Sequence, residues 1–249
     1  MPTLPTWTKF LKLPFVRATR DPALIDGIYN TCDQWCMYCP ATDRCLAYRC
    51  QPEATEDSPS GSIYENIAHR LFEGMQMLRE LNAAEGRTIP ELEALLADDP
   101  RRSPPALEPV NDPLEKMGRR YAVLSSRYLQ SHPAFPFEMR PRAEGPTPFE
   151  VFSWYHVLIA AKINRAITSH AAGVRSGDQA LRMDALFSAK TALIGIERSR
   201  TALTQLQAED EDVRLEEMQR QLARLARELA ARFPEAKSIV RPGLDESGR

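Results

Sequence analysis

Apolar side chains recur at spacings of three and four over most of the chain after residue 60, the period of an amphipathic helix. Between 113 and 130, Leu114, Met117, Tyr121, Leu124 and Tyr128 fall on one stripe. The run 148–170 is apolar on nearly every side through Ile163, which predicts a central helix. The run 178–207 carries Ser188, Ala192, Gly195 and Ser199 on one line. Small residues at that spacing let a neighbouring helix approach closely. From 209 to 233, Leu215, Met218, Leu222, Leu225 and Leu229 make a coiled-coil-like seam. No strand pattern and no internal repeat is present. The pattern predicts an all-α protein built on a single helical bundle.

The helix starts are marked by local chemistry. Ser62 with Glu65, Thr88 with Glu91, Asp112 with Glu115 and Thr147 with Glu150 each fit a capping box or its Asp variant. The first side chain accepts from a free backbone N–H and the glutamate three residues on reaches back. These predict helices over 62–85, stopped at Gly86, over 90–97, over 113–130 and from 148 onward. Asp21-Pro22 predicts a short helix over 22–30 that leads into Cys32. Proline-rich connectors cover 101–111 and 132–146. The helix 209–233 begins acidic and ends rich in arginine, which suits the helix dipole. Its seam is expected to pack antiparallel on its own bundle, with a dimer zipper through 209–233 as the alternative.

These elements divide the chain into an N-terminal arm, short helix and Cys-rich module (1–58), a helical bundle (59–207), an amphipathic helix packed on it (208–233) and a disordered tail (234–249). The length of 249 residues is ample for a hydrophobic core. The formal net charge of −2, with interspersed signs, gives no basic field, so no nucleic-acid partner is expected. No membrane association is expected either: the longest uncharged apolar stretch, 151–161, is too short to span a bilayer. The N-terminus lacks an uninterrupted signal-peptide core, and a cytoplasmic location is expected.

Composition changes the picture at one place. All five cysteines lie within residues 32–50, spaced Cys32-x3-Cys36-x2-Cys39-x5-Cys45-x4-Cys50. An odd number and no export signal argue against a disulfide framework, and in a reducing compartment clustered cysteines more often mean metal. Four thiolates satisfy a tetrahedral zinc or a cubane cluster. Cys32, Cys36, Cys39 and Cys45 form the tightest set of four, and Cys50 is a substitute ligand or a free thiol. A closed 4Fe-4S cluster is the expectation, with an electron-transfer, sensing or structural role and an unidentified protein or redox partner. A structural zinc module on a helical interaction or scaffold protein is the alternative. Against it stand a single Cys-x2-Cys pair and the absence of glycine between Ile28 and Ser60. Unliganded thiols packed in a core are the bland reading.

Several resemblances attach to these residues. Cys32-x3-Cys36-x2-Cys39, with Tyr38 before the third cysteine, resembles the cluster motif of radical S-adenosylmethionine enzymes. That motif implies a β/α barrel and an open iron. Here Cys45 follows closely, and no strand–helix alternation follows. Cys36-x2-Cys39-Pro40-x4-Cys45 is similar to the terminal cysteine triplet of iron–sulfur-stapled RecB-like nucleases, which implies a closed cluster. Their carboxylate–lysine motif is absent, so the activity does not carry over. The whole chain also resembles uncharacterised bacterial helical proteins that share the cysteine run and blocks such as Glu150-Val-Phe-Ser-Trp154-Tyr155 and Ser188-Ala-Lys190-Thr-Ala-Leu-Ile. This resemblance implies a helical fold and no activity.

Other polar residues compete for chemistry. A ferritin-like carboxylate-metal oxidase is a second alternative, but such sites need Glu-x-x-His pairs. The nearest approximation is Glu65 with His69, and Glu65 and Glu150 both have capping roles. His156 in the apolar run reads as a hydrogen-bonded core residue. Lys162, Arg165, Asp184, Lys190 and Glu197 lie on apolar or small-residue helices. Buried charges must be paired, so an inter-helix ion-pair network is expected there.

Overall fold

The computed structural model describes residues 21–49, 111–133 and 142–245, with isolated positions between 79 and 90. The N-terminal arm, the helices expected over 62–85 and 90–97, the linkers around them, Cys50, Glu65 and His69 lie outside the described residues or nearly so. The backbone divides into two compact units. One joins 23–48 to 110–249, and the other joins 1–22 to 49–109. The first holds nearly all the described residues, so the cysteine loop folds with the bundle rather than with the arm.

The elements are helices, and no strand occurs among the described residues. In chain order they are α1 (Ile28–Thr31), two 3-10 turns (Cys36–Tyr38 and Thr42–Arg44), α2 (Leu46–Arg49), α3 (Pro113–Ser131), α4 (Pro148–Ser176), α5 (Gln179–Leu206) and α6 (Val213–Arg232). No described helix is long and apolar enough to cross a membrane.

α3 and α4 start where their caps predict. Thr147 and Glu150 close the full capping box: Glu150 N–H donates to Thr147 Oγ1 at 3.2 Å, and Thr147 N–H to Glu150 Oε2 at 2.7 Å. Asp112, Asp178 and Asp212 each accept from the backbone N–H two residues on, at 2.8 Å. At α3 the box is only half made. Glu115 turns away from its cap and accepts from Arg119 at 2.6 Å.

Three boundaries differ from expectation. The helix expected over 22–30 shrinks to Ile28–Thr31, because Gly27 enters it with φ 69° and the preceding residues turn. α4 runs on to Ser176 and stops at Gly177, whose φ of 73° is a left-handed cap. α6 starts at Val213 rather than 209. Its acidic run is used otherwise: Asp212 caps the helix, and Asp210 accepts from the Tyr128 hydroxyl at 2.9 Å.

The segment expected as a disordered tail is folded through residue 245. Phe233 and Ala236 join the main core. Arg241 is buried and paired to Asp245 at 2.7 Å. Gly243, at φ 69°, lies so close to Ile25 that an added Cβ would sit 2.2 Å from its Cδ1.

α4 and α5 pack most intimately, along the small-residue line. A Cβ built on Gly195 would lie 2.8 Å from Tyr155 Cδ1 and 3.1 Å from Ile159 Cγ1. Glycine is therefore what lets the two backbones close on each other. α6 lays its seam against α3 and α5. Leu215, Met218, Leu222, Leu225 and Leu229 are all fully buried there, so the stripe is covered within the chain. At about 1.5–3 kcal/mol per buried large aliphatic side chain, this seam is a main source of the bundle's cohesion.

Candidate metal centre

The cysteine loop is built from short turns. Cys32 follows α1 in extended backbone, Cys36 opens the first 3-10 turn and Cys39 closes it, and Cys45 closes the second. Between Cys32 and Cys36 the chain reverses at Gln34, which has φ 58°; among the described residues no other non-glycine has a positive φ. A left-handed residue with a side chain costs about 1–2 kcal/mol. It aims the Gln34 N–H at Cys32 Sγ, 3.4 Å away. The Cys32 thiol in turn donates to the Tyr29 carbonyl at 3.6 Å.

Two contact sets seat this loop. On one side Trp35 is buried (5% exposed) against α4. It stacks on Trp154 and meets Tyr38 and Tyr155 edge-on, with centroids 5.1 and 5.8 Å away. Asp33 does the polar half of the docking. Its carbonyl accepts from Trp154 Nε1 at 3.0 Å, and its carboxylate accepts from the Tyr155 hydroxyl and from Arg198 at 2.9 Å. Thr191 on α5 donates to the Thr31 carbonyl at 2.9 Å. On the other side Ile28, Ala41 and Cys45 form a small apolar cluster with Ile25, Cys39 and Leu244. The Ile25 N–H bonds the Arg44 carbonyl at 3.0 Å, closing the loop at its base.

The four cysteines share one neighbourhood. Burial pushes the Cys36 thiol up, and the nearby Cys32, Cys39 and Cys45 sulfurs push it further. Burial also raises Cys32, against the Gln34 N–H, which favours its thiolate; Cys45 and Lys162 bear on it too. None of the four is in a disulfide. Among the described residues no three His, Cys, Asp or Glu side chains are gathered as tightly as a metal ion requires. The donor chemistry nevertheless suits a thiolate-ligated group. The set is all sulfur, and a backbone N–H points at one sulfur. Cys50 lies outside the described residues.

The other candidates resolve into structure. Glu150 is committed to its cap and to Arg142, 3.5 Å away. His156 Nδ1 bonds the Ser153 carbonyl at 2.6 Å, and burial lowers its basicity. Arg165 and Asp184 join α4 to α5 at 2.7 Å, as the ion-pair expectation has it. Lys190 instead donates to the Lys237 carbonyl at 3.0 Å. Lys162 is 6% exposed on α4, and burial lowers its basicity. The residues that the sequence reading missed are Asp33, Trp35 and Arg198. The signal for Trp35 was present, since a tryptophan between two cysteines and a Trp154-Tyr155 pair on an apolar helix are matching surfaces.

No known family, curated protein or solved structure matches the chain.

Proposed function

We propose that the chain is a cysteine-ligated metalloprotein in which Cys32, Cys36, Cys39 and Cys45 hold one 4Fe-4S cluster with an electron-transfer, sensing or structural role. The observation that carries this reading is the set of four thiols on one docked loop, close enough that each neighbour's charge bears on Cys36. Four neighbouring thiols whose ionisation is opposed stay protonated by themselves, and a bound metal would supply the positive charge that lets them ionise together. Such a cluster supplies one-electron redox chemistry when bound.

The chain's own residues provide the setting. Gln34 donates an N–H to sulfur, and hydrogen bonds to ligand sulfurs are a main control of a cluster's potential. Trp35 and the Ile28–Cys45 cluster wall the inner side. Tyr29, Met37 and Tyr48 are exposed on the same loop and offer the partner-facing surface.

Anaerobic purification with metal and sulfide analysis tests this. The expected protein is brown and carries about four irons and four sulfides per chain. Substituting Cys36 and Cys39 by serine should abolish both. A colourless protein with one zinc per chain that depends on the same cysteines would replace the cluster with structural zinc. A metal content indifferent to these substitutions would overturn the cysteine-ligated reading altogether.

A further inference from the structure

Cys45 is buried, at 8% exposed, whereas Cys32, Cys36 and Cys39 are only partly buried. It lies in the small cluster with Ile28 and Ala41, and Leu244 packs on that cluster from almost two hundred residues further along the chain. The neighbouring Gly243, at φ 69°, presses on Ile25 of the same cluster. The covering turn is self-contained. The Leu244 and Asp245 N–H groups bond the Arg241 carbonyl at 3.1 Å. Asp245 in turn accepts from the Arg241 N–H at 2.9 Å and from its guanidinium at 2.7 Å. Among the described residues, 241–245 make no hydrogen bond outside this turn. Packing is therefore what holds the turn on the cysteine loop.

The chain leading to the turn is anchored separately. Phe233 and Ala236 belong to the main core, and Lys190 donates to the Lys237 carbonyl at 3.0 Å. Between Lys237 and Arg241 the linker surfaces, with Val240 half exposed. A turn that carries its own hydrogen bonds on such a linker can lift away without stranding a buried polar group. The Arg241–Asp245 pair moves out with it, charge already matched.

We infer that residues 238–245 are a gate over Cys45, which must lift before anything reaches that thiol. On the four-thiolate reading above, the same movement governs entry and loss of the bound metal, because the closed site needs Cys45 as its fourth ligand.

The test alkylates the reduced, metal-free full-length chain with iodoacetamide and follows each cysteine by mass spectrometry. Rates are divided by those of the urea-unfolded chain, which cancels differences in intrinsic reactivity. Wild type is compared with three variants. Leu244→Ala thins the cover. Gly243→Val strains the turn and drives it from Ile25. Asp245→Asn leaves the buried Arg241 without its counter-charge. Cys45 should be the slowest thiol in wild type. Labelling of a covered group follows the population of the open state, so each variant should speed Cys45 about tenfold. Cys36 should keep its rate, and the helical melting transition should persist. In a second arm, Co²⁺-loaded chains are challenged with excess chelator, and the variants should release cobalt faster by a similar factor.

A wild-type Cys45 that reacts as fast as Cys36 overturns the gate, and so does an unchanged Cys45 rate in the variants. Acceleration of all four thiols in step in Leu244→Ala, the mildest change, also overturns it, because the segment is then part of the common core. A wild type with no thiolate-to-cobalt absorption but with the expected labelling pattern sinks the four-thiolate reading and leaves the gate standing over a free thiol.

Discussion

Trp35 lies flat on Trp154, with ring centroids 5.4 Å apart and planes 8° from parallel. The pair joins the loop between Cys32 and Cys36 to the central helix of the bundle. Offset aromatic stacking adds about 0.5–1.5 kcal/mol beyond simple burial, and a fully buried tryptophan truncated to alanine costs about 3–5 kcal/mol. Trp35→Ala should therefore lower the unfolding free energy by roughly that amount in urea titration. On the proposed four-thiolate reading it should also speed loss of bound metal, because the loop loses its seat. Trp35→Phe should retain most of both. Metal retention unaffected by Trp35→Ala would show that the loop holds its ligands without the bundle.

Asp33 supplies the polar half of the same seat, and Arg198 and Tyr155 converge on its carboxylate. Burial, and then the Asp33 charge, hold the Tyr155 phenol well above its ordinary range, so it remains a donor throughout the working pH. Asp33→Asn keeps the shape and the Trp154-to-carbonyl bond but removes the charge. The Arg198 side chain is about half exposed, so solvent screens the ion pair. The expected loss is about 1–2 kcal/mol, measured by chemical denaturation. The loss should be non-additive with Arg198→Ala, since both remove one interaction. Fully additive losses would mean that the two residues act separately.

Gly195 is the narrowest point between α4 and α5, where an added Cβ would meet the Tyr155 ring and Ile159. Neither neighbour can yield freely, because Tyr155 is also tied to Asp33 and Arg198. Gly195→Ala would gain about 1 kcal/mol of helix propensity on an open surface. Here overpacking should outweigh it, with a net loss of about 1–3 kcal/mol. On the proposed four-thiolate reading, the displacement of Tyr155 should also weaken metal retention. A Gly195→Ala protein more stable than wild type would show that the helices can separate cheaply.

The long helices were legible because their information is local. Caps at Asp112 and Thr147 and the period of three and four need no distant partner. The start of α6 was misplaced because the acidic run 209–212 reads equally well as a first helical turn. What decides it is Tyr128, more than eighty residues away. That the four cysteines stand on one short loop follows from their spacing alone. Their seating does not, since Asp33, Trp35 and Thr31 meet α4 and α5 across more than a hundred residues of sequence.

Asp184 gives the bundle a defined acid sensitivity. Burial pushes its carboxyl up, but Arg165 and Ser169 more than reverse this, and it ends below the ordinary aspartate range. A carboxylate lowered in the folded state contributes stability that is fully present above its unfolded value, near pH 3.9. That contribution is lost as pH falls through the folded value. Metal-free wild type should therefore lose stability as pH drops below about 4, and Asp184→Asn should show a flatter curve there. Above pH 5 the variant should simply be weaker by a constant amount. Arg165 is about half exposed, so the difference between the curves should stay within about 1 kcal/mol. It should shrink further in concentrated salt. Some slope must remain in the variant, because Glu150 and Asp245 are lowered as well. Parallel curves for the two proteins would mean that the Arg165–Asp184 pair contributes nothing to folding.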